Sequence, residues 1–207
     1  MKRILLITFL IFTLFSLNGC REKTKEEEFN DIQKTFNSIS NYTSIAKIKI
    51  TGNKSPESFK VQHIFEKPDK YISEILEPKD NSGNKTIYNA NRAYLYNKKV
   101  DQYTTLKEVK FPDDKILFVG YFLRNLSNVE ELEITREIEG KVEYIVISID
   151  IPGNNMYRAY EKLWIDKSTH LPHKLVIYDD KNKEVVNVEY SDVKYNTDIE
   201  KEIFNIN

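Results

Sequence analysis

The sequence predicts an α+β domain built around one antiparallel sheet. Roughly ten short stretches alternate apolar and polar residues, and short turns separate them, as in a sheet made of hairpins. Only two stretches have helical periodicity. Strands and helices do not alternate along the chain, so a parallel βαβ arrangement is not expected.

The N-terminus has the composition of an export signal. Two basic residues precede an apolar run at residues 4–17, and Gly19 places a small residue directly before Cys20. These are the parts of a signal peptide, and a run of 14 residues is short for a spanning helix. The position of Cys20, the only cysteine, resembles that of the lipid-attachment cysteine of bacterial lipoproteins. We expect residues 1–19 to be a signal peptide and Cys20 to carry a lipid, the alternative being a secreted protein with a free thiol.

The rest of the chain is expected to hold one domain. Residues 20–26 are rich in lysine and glutamate and predict a solvated tether, and residues 27–207 follow as the domain. Subtracting the two basic residues of the signal from 31 leaves 29 basic against 32 acidic residues, a net charge of −3. This balance gives no electrostatic basis for binding nucleic acid. A single cysteine cannot form a disulfide within the chain, so a packed core has to stabilise the fold.

The first helix is predicted from Phe29, Ile32, Phe36 and Ile39, whose spacing places them on one helical face. The pattern then changes to a period of two, as in residues 46–50, where apolar residues alternate with lysine. Further strands are predicted around residues 59–65, 71–75, 86–89, 92–97 and 100–106, with a turn at residues 81–84.

A second helix is predicted at residues 113–125, where a proline and an acidic first turn mark its start. Phe118, Phe122 and Leu123 belong to an apolar surface that covers most of this helix, so it should be buried on more than one side. Gly120 allows a close approach to the sheet. The period of two then returns, with strands predicted around residues 132–138, 142–151, 157–166, 171–179 and 184–195.

The sequence offers little chemistry. His63, His170 and His173 are too few and too poorly spaced for a metal site, and we expect surface or edge positions for them. No nucleophile elbow, phosphate-binding glycine loop or HExxH motif is present. The acidic pairs at residues 113–114 and 179–180 lie at a helix start and a turn, where aspartate has a structural role. We therefore predict no catalytic residue, no metal, no cofactor and no enzymatic activity.

Five segments of the chain carry a resemblance to a known family. They are LWID at residues 163–166, LPHK at 171–174, VEYSDVKYN at 188–196, FEKPDKY at 65–71 and a tyrosine-containing hairpin at 89–97. Together these segments resemble the corresponding motifs of the LolA-like proteins. The resemblance implies an antiparallel sheet curved into an incomplete barrel, with helices packed on its concave face. It also makes Phe118, Phe122 and Leu123 candidates for lining the hollow of that barrel.

Within this family three extracytoplasmic roles compete: carriers of acyl chains, regulators that sense lipoproteins or envelope stress, and GerS-type lipoproteins of clostridial spore-formers. The lipid-attachment cysteine, the single domain and the abundance of Lys, Asn and Ile are most similar to the GerS type. That resemblance implies a non-enzymatic lipoprotein anchored through Cys20 at the extracytoplasmic face, between the forespore and mother-cell membranes. It implies binding and licensing of a CwlD-type N-acetylmuramoyl-L-alanine amidase needed for spore germination, and it allows a homodimer. The alternative is a carrier or sensor of acyl chains or lipoproteins at the membrane surface.

Aromatic and arginine side chains are the usual anchors of protein interfaces. The candidates for partner contact near predicted hairpins are Tyr94, Tyr96, Tyr157 and Arg158. The sequence does not rank these four residues.

Overall fold

Eleven strands form one sheet in the computed structural model, which describes residues 21–51, 56–89, 92–107, 117–126, 132–153 and 155–205. The strands are β1 (Asn41–Ile50), β2 (Glu57–Glu66), β3 (Lys70–Glu77), β4 (Lys85–Asn89), β5 (Arg92–Asn97), β6 (Gln102–Lys107), β7 (Glu133–Glu139), β8 (Val142–Asp150), β9 (Tyr160–Asp166), β10 (Pro172–Tyr178) and β11 (Glu184–Tyr195). The helices are α1 (Lys25–Ser38) and α2 (Val119–Leu126), with short 3-10 helices at Lys79–Asn81 and Lys201–Phe204.

The sheet consists of two meanders joined by the first and the last strand. The strand order is β6-β5-β4-β3-β2-β1-β11-β10-β9-β8-β7, and all neighbours are antiparallel. In the central pair Ala46 lies opposite Tyr190, and Val61 of β2 lies on the other side of Ala46. Strands β6 and β7 are the two edges and do not pair with each other within the described part of the chain, so the sheet is not closed. The predicted α+β class with an antiparallel sheet is confirmed.

Helix α1 begins at Lys25 because the residues around its start supply the hydrogen bonds that a helix end lacks. Thr24 Oγ1 accepts from the Glu27 N–H at 3.2 Å, and Glu27 Oε2 accepts from the Thr24 N–H at 2.9 Å. The glutamates of the first turn also interact favourably with the helix dipole. The helix predicted from its apolar spacing is confirmed, and this polar cap extends it by about one turn on the N-terminal side.

The sheet caps the other end of α1. Lys67, in the β2–β3 turn, donates from Nζ to the carbonyl oxygens of Phe36 and Asn37 at 3.0 and 3.4 Å. A cation at this position satisfies terminal carbonyls and complements the negative end of the helix. Helix α1 has no basic residue in its own last turn. Its C-terminal end is therefore capped by Lys67, a residue distant in the sequence.

Helix α2 lies against the same face of the sheet and is deeply buried. Phe118, just before its first turn, is 1% exposed, and Phe122 is fully buried. Gly120 rests on the Phe65 ring so closely that a Cβ atom would lie 2.3 Å from it. The helix predicted at residues 113–125 is confirmed from Val119 and ends at Leu126. Leu117 and Phe118 precede the helix, and residues 113–116 lie outside the described residues.

Both helices pack on one face of the sheet, which we call the inner face. Inner-face side chains of the strands and the buried side chains of the helices form one continuous core. Its members include Ile32, Phe36, Ala46, Phe65, Tyr71, Phe118, Phe122, Ile147, Leu163, Leu175 and Val188. The helices therefore occupy the concave side of an incomplete barrel, as the family resemblance implied.

The opposite, outer face carries two smaller apolar clusters. One consists of Tyr144, Val146, Trp164 and Val176. The other forms where the C-terminal 3-10 helix folds over β3 and β4 and packs Phe204 against Ile72 and Ile87. Asn89 Nδ2 donates to the carbonyl oxygen of Phe204 at 3.3 Å and fixes this segment. Neither cluster was predicted, because strand alternation identifies only one buried face.

Candidate functional site

An open hollow lies on the inner face of the β1–β6 half of the sheet. Its volume is about 530 Å³, which is within the usual range of ligand pockets. Apolar side chains dominate the lining, and hydroxyl groups of Ser73, Thr86 and Thr104 interrupt it. The apolar part includes Ile50, Phe59, Ile75, Leu95 and Leu117. Such a surface suits an acyl chain or the apolar side chains of another protein.

The three residues predicted to line a hollow do not line this one. Phe118 and Phe122 are in the core between α2 and the sheet, at 1% and 0% exposure. Leu123 borders a separate groove between α1 and α2, together with Phe36. Leu117, which precedes Phe118, lines the hollow instead. The spacing of apolar residues identified a buried helix but not the point at which the core ends and the hollow begins.

Phe118 packs against a buried histidine. The rings of His63 and Phe118 stack with centroids 3.9 Å apart, and the Tyr71 ring lies 4.4 Å from Phe118. His63 is fully buried, and neither ring nitrogen has a hydrogen-bond partner among the described residues. Burial lowers the pKa of His63 to about 3, so the ring is neutral at physiological pH. The expected surface or edge position is therefore wrong for His63, which points inward from β2.

The other two histidines lie apart from His63. His170 Nδ1 is 2.7 Å from Thr35 Oγ1 of α1, and the His173 ring stacks on Tyr144 on the outer face. Within the described ranges, no group of three or more His, Cys, Asp or Glu side chains could hold a metal ion. None of the described helices is long and apolar enough to cross a membrane.

A buried carboxyl group lies beneath the C-terminal end of α2. Glu161 of β9 is fully buried, and its Oε1 accepts from Asn125 Nδ2 at 3.3 Å. Its Oε2 has no partner in the part of the chain that the structure describes. Burial raises the pKa of Glu161 to about 8, although the Asn125 hydrogen bond opposes the rise. Near the other end of α2, the Tyr190 hydroxyl donates to the Leu117 carbonyl oxygen at 2.7 Å, so polar contacts hold both ends of the helix.

The four predicted partner-contact residues lie in two separate places. Tyr94 and Tyr96 are on β5, where Tyr94 is half-buried against the outer-face cluster and the Tyr96 hydroxyl donates to Asp101 Oδ1 at 2.8 Å. Tyr157 and Arg158 are in the β8–β9 connection, and Tyr157 is 68% exposed. Six strands separate β5 from β9 in the sheet. The structure therefore does not bring these four residues into one surface.

The β5–β6 hairpin exposes apolar and basic side chains together. Val100, Tyr103 and Leu106 are 58%, 46% and 42% exposed, and every residue of β6 is exposed. The outer edge of β6 pairs with no described strand. The hairpin also carries four cations that form no ion pair with a described residue: Arg92, Lys98, Lys99 and Lys107.

Comparison with known proteins places the chain in a family. The family model described as sporulation protein YdcC-like matches residues 1–204. The chain belongs to the YdcC-like sporulation proteins. YdcC of Bacillus subtilis (strain 168) is 20% identical over an alignment 207 positions long, which covers 97% of this chain. The chain spans 59% of the length of that relative.

Solved structures match this YdcC-like chain over most of its length. A chain in the structure of the CwlD amidase from Clostridioides difficile in complex with the GerS lipoprotein is 29% identical, with a TM-score of 0.52. That match covers 86% of this chain and 99% of the other, and the predicted resemblance to GerS is thereby confirmed. The LolA-superfamily protein NE2245 from Nitrosomonas europaea is 13% identical with a TM-score of 0.47, covering 89% of this chain and 99% of that one. GerS is named as a lipoprotein and YdcC as a sporulation protein.

In this YdcC-like protein the segment that follows Cys20 is fixed to the sheet by charge pairs, while Cys20 itself lies outside the described residues. Arg136 Nε of β7 lies 2.9 Å from Glu28 Oε2, and Lys167 Nζ lies 3.0 Å from Glu28 Oε1. Arg136 also donates to the Lys23 carbonyl oxygen at 2.6 Å. The Glu28 side chain is only 4% exposed, so these contacts are largely shielded from water. The start of α1 is thereby docked at the β7–β9 end of the sheet.

Proposed function

We propose that this chain is a membrane-anchored, non-enzymatic lipoprotein that binds a CwlD-type N-acetylmuramoyl-L-alanine amidase. On this proposal it licenses the amidase for cortex modification during sporulation, in the space between the forespore and mother-cell membranes. The observation that carries the proposal is the 29% identity to a chain of the CwlD–GerS complex over 99% of that chain. The YdcC-like family, described as a sporulation family, supports the same process.

Co-purification tests this function directly. We expect the chain without its lipid to co-purify stoichiometrically with the CwlD-type amidase of its own organism and to raise the activity of that amidase. We also expect the chain alone to bind no zinc, because its described residues offer no set of metal ligands. Recovery of acyl lipid without amidase, from cells that express both, would contradict the proposal.

The membrane anchor is proposed to be a lipid on Cys20. Replacing Cys20 by alanine is expected to leave the domain folded, because the change removes only a thiol and lies before the capped start of α1 at Thr24. It should abolish acylation and the lipoprotein-type cleavage. Detergent partitioning and mass spectrometry of the mature N-terminus measure both effects, and cleavage elsewhere with a free Cys20 thiol would rule out this anchor.

A second candidate function is transport or sensing of an acyl chain. The hollow of about 530 Å³ on the inner face favours it, since its apolar lining could hold one chain. Replacing Leu95, at the rim of the hollow, by tryptophan should reduce the amount of lipid that co-purifies with the protein. An amidase-binding role would be unaffected by the bound lipid, so lipid content and amidase binding measured on the same preparation distinguish the two functions.

A further inference from the structure

The two edges of the sheet differ in how they are protected. Free strand edges readily pair with another chain, and proteins usually block them with inward-pointing charges or with a covering helix. On β7 the Arg136 side chain points to the inner face and pairs with Glu28 of α1. Glu137 accepts from Trp164 Nε1 at 2.8 Å, and Glu139 pairs with Lys174 at 2.8 Å. Three charged side chains of the β7 edge, Arg136, Glu137 and Glu139, are thus engaged within the molecule.

The β6 edge has none of these protections in the residues that the structure describes. Between its terminal residues Gln102 and Lys107 the strand contains no charge and no proline, and its side chains are exposed on both faces. Tyr103 lies opposite Tyr96 on β5, and Leu106 lies opposite Ala93, so each face of the edge presents one large apolar side chain. A segment added along β6 would find main-chain hydrogen bonds and an apolar contact on each side.

The charge of the β5–β6 hairpin indicates the composition of the segment that would add along β6. Arg92, Lys98, Lys99 and Lys107 stand against a single acidic residue, Asp101, which accepts a hydrogen bond from Tyr96. These cations, which form no ion pair with a described residue, lie at both ends of the hairpin, Arg92 opposite Lys107 at one end and Lys98 and Lys99 in the turn at the other. They attract an acidic partner along the length of the strand. The segment that fits is therefore extended and acidic, with apolar residues at alternate positions.

We propose that β6 is the docking strand for an extended acidic segment of the amidase, which adds to the sheet as a twelfth strand. This inference rests on the proposed function and specifies the surface through which it acts. Tyr96, one of the four residues predicted as partner contacts, supports this surface through its ring contact with Tyr103 at 4.7 Å between centroids. Tyr157 and Arg158, on the other half of the sheet, are not required for it.

The test measures amidase affinity of the full chain, purified in detergent with its anchor, by titration calorimetry. The double variant Lys98→Glu/Lys99→Glu should weaken binding about tenfold or more, because like charges then face the acidic segment. The matched control, Lys181→Glu/Lys183→Glu, changes two exposed lysines in the β10–β11 turn and should keep the wild-type affinity. Equal affinities for the two double variants would overturn the inference.

Proline substitutions test the strand addition itself. Adjacent N–H groups of an antiparallel edge point in opposite directions, so only one of Thr104→Pro and Thr105→Pro removes a donor from the outer edge. That variant should keep its thermal unfolding transition and lose amidase binding. If both proline variants unfold, the comparison of Lys98→Glu/Lys99→Glu with its lysine control decides whether the amidase binds at this edge.

The outcomes also separate this inference from the proposed function. Failure of the wild-type chain to bind the amidase overturns both. Wild-type amidase affinity in the Lys98→Glu/Lys99→Glu variant and in both proline variants overturns only the assignment of β6 as the docking strand. A change from dimer to monomer in those variants, with amidase affinity retained, would assign the edge to contact between two copies of this chain and would also overturn it.

Discussion

Replacing Phe118 by aspartate is expected to abolish cooperative folding. Phe118 is 1% exposed and lies between the rings of His63 and Tyr71, at 3.9 and 4.4 Å between centroids. Loss of a buried phenylalanine costs about 3–5 kcal/mol by itself, and an unpaired buried carboxylate adds several more. The sum is comparable to the whole stability of a typical domain, about 5–15 kcal/mol. Circular dichroism and thermal melting measure the result.

Val100 provides the control for this substitution. It is apolar like Phe118 but 58% exposed in the β5–β6 hairpin. Val100→Asp is therefore expected to change the free energy of unfolding by no more than about 0.5 kcal/mol. A soluble Phe118→Asp protein that melts as cooperatively as the Val100→Asp protein would show that the Phe118 segment is not part of the core.

Replacing Glu161 by glutamine is expected to stabilise the protein, and more so as the pH rises. The pKa of Glu161 is raised from 4.5 to about 8 by burial. Between these values the unfolded chain is ionised while the folded chain keeps its proton, so the stability of the wild type falls from about pH 4.5 to about pH 8. Glutamine has nearly the same shape, can still accept from Asn125, and does not ionise. The gain should be near zero at pH 4.5 and on the order of 4 kcal/mol at pH 8.

The difference between variant and wild type isolates this effect from that of His63. Burial lowers the pKa of His63 from 6.5 to about 3, so its linkage has the opposite sign, and stability is lost as the pH falls through that window. Both proteins share this loss, and it cancels in the difference. Glu189→Gln, on an exposed position of β11, is the matched control and should not show the pH-dependent gain. Urea unfolding at several pH values measures it, and a gain independent of pH would contradict the assignment.

Strands and helices could be predicted from the sequence because each buried side chain marks its own face. The alternation of residues 46–50 and the spacing of Phe29, Ile32 and Phe36 correspond directly to β1 and α1. The order of strands could not be predicted in this way, since the pairing of β1 with β11 depends on residues far apart in the chain. The packing of Phe204 on the outer face could not be predicted for the same reason, because its partners on β3 and β4 are far away in the sequence.

The candidate site was less predictable, because at some positions the residue type indicated exposure while the strand alternation indicated burial. His63 shares its face with Val61 and Phe65, so the alternation placed it in the core although histidine is usually exposed. Glu161 likewise alternates in step with Leu163 and Ile165, so its position in β9 also predicted burial although its residue type did not. The hollow itself depends on the distance between a helix and the sheet, which no local pattern specifies.

Because the first and last strands join the two meanders, this chain completes its fold only when nearly all of it is available. Asn41–Ile50 pairs with Glu184–Tyr195, and contacts between such distant segments form slowly. Until β11 arrives, β1 and β10 both present open edges that can aggregate. A chain that emerges N-terminus first, from a ribosome or an export channel, therefore passes through a vulnerable interval set by its length. Loss of β11 by truncation would separate the two meanders instead of merely shortening the sheet.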